Sequence, residues 1–326
     1  MRTRAWITSI VLVLVAAACG DDAGGGDDPS GAGSIVVSGS STVEPISARN
    51  AQKFAEANPA VTISVEGPGT GDGFKKFCAG ETDISDASRP IKESEAQDCA
   101  ANAVEYIELK VAIDGLSVLT SVNNTAVSCL DFADLYALIG PESLGFGNWS
   151  DANALGTELG AGHVPYPDAP LVITAPGEES GTYDTFVEFV IEDFAEERNV
   201  ETAARLDYVA SPNDNVIIDA ISGSGTSLGW VGYAFFVENQ DKVAAVAVDD
   251  GDSGCVEPTL ASIADGSYPL SRPLFIYVNT AQAAVKPELA AYIDFYLSDD
   301  GLASVAETGY VALADYADTR NVWKNR

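Results

Sequence analysis

Three short loops rich in glycine, serine and threonine each stand where an apolar, strand-like segment gives way to a helix-like one. They are residues 38–42, after the apolar entry 35–37; residues 67–73; and residues 179–182, after the apolar segment 171–175. The first N–H groups of a helix have no partner within it, and the positive end of the helix dipole points the same way. The sequence therefore predicts three clusters of neutral donors that converge on one small oxyanion.

Strand-like and helix-like segments alternate through most of the chain, which predicts an α/β fold with ligands at the carboxyl ends of strands. A long strand is expected over 106–122, interrupted at Asp114-Gly115, and a single strand over 243–248. Segment 140–170 is rich in Gly, Pro and Asn and is expected to be irregular.

The segments 114–115 and 271–273 resemble crossings between two lobes, one of residues 34–115 plus 272–326 and the other of residues 116–271. With 326 residues, of which 46% are hydrophobic, the chain is long enough for two lobes with cores. The first two loops then lie on one lobe and the third on the other, facing each other across a cleft.

The net charge is strongly negative, with 49 acidic against 17 basic side chains and a formal value of −32. Such a surface repels nucleic acid and offers no basic patch to anionic membranes. It does not exclude an anion ligand, because a recessed site is governed mainly by its own donors.

The N-terminus has the pattern of a targeting segment. Arg2 and Arg4 precede the apolar run 6–15, which is too short to span a membrane comfortably and leads to Ala-Ala-Ala-Cys at 16–19. We expect residues 1–19 to be a lipoprotein signal with Cys19 lipidated, although Ala16 replaces the usual leucine; an ordinary secretory signal cut near the alanines is the alternative. Residues 20–33 are expected to form a flexible tether, which places the protein outside the cytoplasm on a membrane anchor.

Four further cysteines, an even number in an exported chain, indicate two disulfides. Three pairings are possible; we prefer Cys78–Cys99 and Cys129–Cys255, since each lies within one proposed lobe. The sequence has no Cys-x-x-Cys motif or Cys/His cluster, so we expect neither a metal site nor a cofactor.

Four motifs occur in a recognisable order: Ser-Gly-Ser-Ser-Thr-Val-Glu-Pro (38–45), Gly-Thr-Gly-Asp-Gly-Phe (69–74), Asp-Ala-Ser-Arg-Pro-Ile (86–91) and Pro-Gly-Glu-Glu-Ser-Gly-Thr (176–182), followed by Gly-Trp-Val-Gly-Tyr (229–233). Together they resemble the phosphate-binding proteins of phosphate ABC importers. The resemblance implies a two-lobe, periplasmic-binding-protein-like type II fold with a hinge and a ligand cleft, and an ABC permease as partner. We expect a monomer that binds inorganic phosphate and delivers it to that permease.

The resemblance also implies the phosphate-binding residues, which are Ser41, Thr42, Thr70, Gly71, Ser88, Arg89, Ser180, Gly181 and Thr182. Two positions depart from well-known members. Ser88 stands where they have the aspartate that accepts the phosphate proton and rejects sulfate, and Pro176 stands where they have an arginine. We expect Arg89 to replace that arginine. Asp72 and Asp214 are candidates for the missing acceptor.

Alternatives remain open at this point. Taken singly, Thr42 or Ser180 is most often a helix cap and Arg89 a surface ion pair, so only their joint occurrence indicates a site. Another oxyanion, sulfate or molybdate, is a second candidate ligand. A secreted hydrolase or phosphatase is a third possibility, because Gly-Asp-Ser-Gly at 251–254 resembles a protease nucleophile motif and His163 precedes it; Cys255 in place of the final glycine and the α/β pattern argue against an enzyme.

Overall fold

A computed structural model describes residues 33–252 and 254–326, so the signal segment with Cys19, nearly all of the tether, and Ser253 lie outside the described residues. The strands are β1 (Ser34–Gly39), β2 (Thr62–Glu66), β3 (Ile84–Ala87), β4 (Tyr106–Ser121), β5 (Cys129–Asp131), β6 (Val172–Ala175), β7 (Val209–Ala210), β8 (Ser227–Gly232), β9 (Val243–Ala245), β10 (Ala247–Asp249) and β11 (Ser271–Asn279).

The α-helices alternate with these strands, as the sequence pattern predicts. They are α1 (Glu44–Ala57), α2 (Thr70–Cys78), α3 (Glu93–Ala101), α4 (Phe132–Ile139), α5 (Asn153–Leu159), α6 (Gly181–Phe186), α7 (Glu192–Arg198), α8 (Asp214–Ser222), α9 (Tyr233–Glu238), α10 (Leu260–Ala264), α11 (Thr280–Val285), α12 (Pro287–Tyr296), α13 (Asp299–Glu307) and α14 (Ala317–Lys324). A π-helical segment, Val187–Ile191, joins α6 to α7. Among the described residues, no helix is both long and apolar enough to cross a membrane.

Strand β4 is the longest strand and links two parts of the main sheet, whose order is β2-β1-β3-β11-β4-β8-β6-β7 with β9 also paired to β4. Residues 106–115 of β4 pair with β11, whereas residues 116–119 pair with β8. The expected interruption at Asp114-Gly115 was wrong: the backbone stays extended there, because β8 replaces β11 as the hydrogen-bonding neighbour of β4 directly after Gly115.

Two other expectations for local structure also need correction. The strand expected over 243–248 is two strands, because β9 pairs with β4 and β10 pairs with β5. Segment 140–170 holds α5 and two 3-10 turns, Pro141–Ser143 and Trp149–Ala152. The Asn148 side chain accepts a hydrogen bond from the Ser150 N–H and so starts the second turn, which glycine and proline content alone does not reveal.

The two largest hydrophobic clusters occupy different stretches of the chain. One lies around β1, the first part of β4, β11 and α12, and includes Val37, Leu109, Ile276 and Tyr292. The other lies around α4, β6, α6 and β8, where Phe186 and Trp230 stack with ring centroids 4.0 Å apart. Both disulfides form the pairs preferred from the sequence: Cys78–Cys99 joins α2 to α3, and Cys129–Cys255 joins β5 to the segment after β10.

Candidate anion-binding cleft

The first loop begins where β1 ends, between its parallel neighbours β2 and β3. Gly39 passes so close to β3 that a Cβ atom there would lie 2.0 Å from the carbonyl oxygen of Asp86, so the position requires glycine. The Ser40 N–H donates to that same carbonyl at 2.9 Å, and the Ser40 hydroxyl accepts from the Thr42 N–H at 3.2 Å. The loop is therefore held tightly against the end of β3.

The second loop packs directly on the first. Gly69 adopts a φ of +105°, which favours glycine, and its N–H donates to the Gly39 carbonyl at 2.9 Å. At the end of β3, the Thr70 and Ser88 hydroxyl oxygens lie 2.9 Å apart, and the Ser88 N–H donates to the Thr70 hydroxyl at 3.2 Å. Three segments distant in sequence thus bring their hydroxyl groups together at one edge of the sheet.

The third loop reaches the first loop from the other part of the chain. Ser180 caps α6 by accepting a hydrogen bond from the Thr182 N–H at 3.2 Å. A Cβ atom on Gly181 would lie 3.1 Å from the Ser41 carbonyl oxygen. One turn further along α6, the Asp184 carboxylate accepts from the Ser41 hydroxyl at 2.6 Å. The helix that follows the third loop therefore contacts the first loop closely.

The first two loops, the segment after β3 and the helical stretch that follows the third loop line a cavity of about 450 Å³. Its lining residues are Ser40, Ser41, Thr42, Pro68, Gly69, Thr70, Gly71, Ser88, Arg89, Lys92, Asp184, Glu188 and Glu192. Six of the nine residues expected from the sequence line this cavity. The other three, Ser180, Gly181 and Thr182, do not line the cavity. They stand at the start of α6, and Asp184, further along the same helix, does line it.

The side chains of the cavity wall carry both signs of charge. Arg89 is held by Glu95 through two contacts, of 2.8 and 2.9 Å, so its charge is largely balanced outside the cavity. Lys92 is a second cation, which the sequence analysis missed. The carboxylates of Asp184, Glu188 and Glu192 also belong to the wall. An anion in this cavity therefore meets more acidic than basic side chains at its edge.

Neither candidate for the proton acceptor is among the lining residues. The Asp72 carboxylate pairs with Lys75 at 2.7 Å. Asp214 is the first residue of α8 and does not line the cavity either. Asp184, Glu188 and Glu192 reach the cavity and take their place as candidates.

A buried arginine, Arg272, lies behind the cavity wall. From the sequence it was noted only within the segment 271–273, where the chain is expected to cross between lobes. Arg272 on β11 is 8% exposed and donates through Nη2 to the hydroxyls of Thr42, at 3.3 Å, and Thr185, at 3.0 Å. Its Nη1 lies 2.5 Å from Glu188 Oε2 and its Nε lies 3.8 Å from Asp114 Oδ2. The one sequence signal that could have drawn attention to Arg272 is its place directly before the apolar run 273–278, because a buried cation needs a partner. That signal does not say which residues are its partners.

A buried carboxyl group lies under the first loop. Asp86 is fully buried on β3, and burial raises its pKa to about 7; the nearby charge of Glu44 acts in the same direction. The Ser47 hydroxyl donates to Oδ1 at 2.9 Å and opposes the shift, while Oδ2 has no hydrogen-bond partner among the described residues.

Two residues behind the hydrolase hypothesis, His163 and Cys255, lie outside the cavity. The Nδ1 atom of His163 is 2.5 Å from Asp134 Oδ2, and the Tyr166 hydroxyl donates to the other carboxylate oxygen at 2.7 Å. Cys255 forms a disulfide with Cys129, and Ser253 lies outside the described residues. Neither His163 nor Cys255 lines the cavity described above.

Comparisons with known proteins agree with this fold. A family model described as a PBP superfamily domain matches residues 26–300. Protein SphX of Synechococcus elongatus is 36% identical over 286 residues, covering 87% of this chain and 79% of the relative. The phosphate-binding protein PstS of Staphylococcus aureus (strain USA300) is 36% identical over 276 residues, covering 84% of this chain and 76% of the relative. The crystal structure of a possible phosphate binding protein from Planctomyces limnophilus superposes with a TM-score of 0.77 at 39% identity, covering 90% of this chain and 95% of that one.

Proposed function

The chain belongs to the PBP superfamily, and from this premise we propose that it is an extracytoplasmic binding protein that captures inorganic phosphate and delivers it to an ABC permease. The observation that carries the proposal is the meeting of Thr42, Thr70 and Ser88, from three segments, at one cavity that also faces α6. A relative 36% identical to this chain is itself a phosphate-binding protein.

The chemistry of the cavity suits a small tetrahedral oxyanion. Stripping such an ion of water is costly unless its oxygens regain hydrogen bonds. Each hydrogen bond to a charged group contributes about 1.5–3 kcal/mol, so seven or eight of them, minus desolvation and closure, leave roughly the −8 kcal/mol of a micromolar site. Hydroxyls such as those of Ser41, Thr42, Thr70 and Ser88 supply such donors without adding net charge.

Capture by closure of two lobes is the mechanism that we propose. Residues 34–115 with 272–326 form one lobe and residues 116–271 the other, and the crossing strands β4 and β11 act as the hinge. Ser180, Gly181 and Thr182 then provide hydroxyl and main-chain donors from the second lobe when the cleft closes on the ion. The closeness of Gly181 to the Ser41 carbonyl oxygen supports this arrangement.

Selectivity for phosphate over sulfate requires a group that accepts a proton, because only phosphate keeps one near neutral pH. We assign this role to Asp184, whose carboxylate lies 2.6 Å from the Ser41 hydroxyl at the cavity wall. A carboxylate there accepts a hydrogen bond from hydrogen phosphate and repels sulfate.

Calorimetric titration with phosphate, sulfate and molybdate tests the ligand. We expect binding heat with phosphate and none with sulfate; heat with sulfate or molybdate alone would contradict the assignment.

Asp184→Asn should lower the ratio of phosphate affinity to sulfate affinity about tenfold or more. Turnover of p-nitrophenyl phosphate tests the phosphatase alternative, and we expect none, since binding and release require no covalent step.

The remaining parts of the proposal concern location and assembly. Lipidation of Cys19 would hold the protein on the outer face of the cell membrane beside the permease, with residues 20–33 as the tether. The strongly acidic surface argues against nucleic acid as a partner. We propose a monomer, since one chain supplies donors to both sides of the cleft.

A further inference from the structure

Arg272 connects both sides of the proposed cleft while being almost inaccessible to solvent. Its Nη2 bonds to Thr42 on the first loop and to Thr185 on α6, while Nη1 is paired with Glu188 on the π-helical segment. Thr42 and Glu188 both line the cavity, so the guanidinium lies one side chain behind its wall.

The two partners of the Arg272–Glu188 ion pair differ in their freedom. The arginine side chain is 9% exposed and that of Glu188 is 39% exposed. The Glu188 side chain already has partial access to water, whereas Arg272 is fixed by its hydroxyl contacts and by the Phe189 ring, whose centroid lies 5.2 Å from the guanidinium carbon. If the pair separates, the carboxylate moves and the cation stays.

The electrostatics of the wall favour such a separation when an anion enters. A phosphate ion beside the Glu188 carboxylate meets a like charge, and Arg89 is already engaged by Glu95. A buried guanidinium, in turn, needs an anionic partner, and Asp114 at 3.8 Å from Nε is too distant for a hydrogen bond. Replacing one anion by another at Arg272 satisfies both requirements.

We propose that Arg272 is an anion-binding residue of the cleft and that Glu188 is its exchangeable counter-ion, which phosphate displaces on binding. This inference rests on the proposed phosphate-binding function. Because Glu188 must leave Arg272 before phosphate can bind there, Glu188 competes with the ligand. The affinity of the site for phosphate therefore depends in part on how firmly Glu188 binds the arginine.

Glu188→Gln tests the exchange, with Glu196→Gln as the matched control. Both substitutions replace a glutamate of the same helical stretch by its amide, but Glu188 lines the cavity and is paired with Arg272, whereas Glu196 is exposed on α7 and does not line the cavity. By calorimetry we expect Glu188→Gln to bind phosphate about fivefold more tightly or better, and Glu196→Gln to change affinity by about twofold or less. Equal effects of the two substitutions, or weaker binding by Glu188→Gln, would overturn the proposal, the second result because it would make Glu188 a ligand rather than a competitor.

A double-mutant cycle with Arg272→Lys provides a second measurement that does not depend on one variant alone. Lysine keeps the charge but lacks the planar fork, so we expect Arg272→Lys to bind phosphate about tenfold more weakly and the gain from Glu188→Gln to vanish in that background. A gain that persists beside lysine would refute the exchange. Absence of phosphate binding by the wild-type protein would instead refute the proposed function itself. Thermal melting of each variant without phosphate separates misfolding from a loss of affinity.

Discussion

Asp86→Asn should change how the stability of the protein depends on pH. The Asp86 carboxyl is fully buried between β3, α1 and α12, near Ser47, Tyr292 and Tyr296, and its pKa is raised to about 7 mainly by burial. In the unfolded chain the same group ionises near its ordinary value of 3.8. The folded state therefore prefers the neutral form over the whole interval between the two values.

The sign and the magnitude follow from proton linkage. A raised acid pKa contributes stability that is complete below pH 3.8 and is lost as the pH rises through about 7. Integrating between these two pKa values, the wild-type protein loses about 2.5 kcal/mol between pH 5 and pH 8 through this one group. Asparagine does not titrate, so the free energy of unfolding of the variant should gain that amount relative to wild type over the same interval.

Urea unfolding of both proteins at pH 5 and pH 8 provides the assay. Asp98→Asn is the matched control, because it makes the same replacement of a carboxyl by an amide at an exposed position on α3. The quantity to compare is the change in the free energy of unfolding between pH 5 and pH 8, because the absolute value also depends on whether the new amide finds a hydrogen-bond partner where, among the described residues, Oδ2 has none. A difference between variant and wild type that is the same at both pH values would refute the buried, neutral state of Asp86.

Two further predictions concern the cleft. Gly181→Ala should weaken phosphate binding about tenfold without loss of folding, because the new methyl group would lie 3.1 Å from the Ser41 carbonyl oxygen and hinder the approach of α6 to the first loop. Calorimetry measures the affinity, and Gly225→Ala is the control because a methyl group there would have no atom within 4 Å. Arg89→Ala should weaken phosphate binding about tenfold, because it removes a cation from the wall and leaves the Glu95 carboxylate without its cationic partner. An unchanged dissociation constant would exclude Arg89 from the site.

The local features of the fold were predictable because they depend on a few neighbouring residues. Each of the three loops combines a strand, a glycine at or just after the strand end (Gly39, Gly67 or Gly177), hydroxyl side chains and a helix, and the structure contains all three junctions. Helix α4 is another local feature: its N-cap is Asp131, a residue type that is favoured there, and the Asp131 side chain accepts from the Asp134 N–H. Both disulfides also matched the preferred pairs.

The features that were missed depend on contacts between distant segments. Whether 243–248 is one strand or two is decided by its hydrogen-bonding partners, β4 and β5, and not by its own apolar pattern. The position of Arg272 is fixed by Thr42, Thr185 and Glu188, which lie at least 84 residues away along the chain by the numbering. No local pattern around 271–273 contains that information, so only the folded chain reveals the arginine behind the cleft.

A crystal structure of the mature protein grown with phosphate tests the central claim most directly. We expect one phosphate ion in the cavity, within hydrogen-bond distance of Thr42 and Thr70 on one side and of donors from residues 180–182 on the other. Phosphate bound elsewhere, or held from one side while those loops stand apart, would contradict the account.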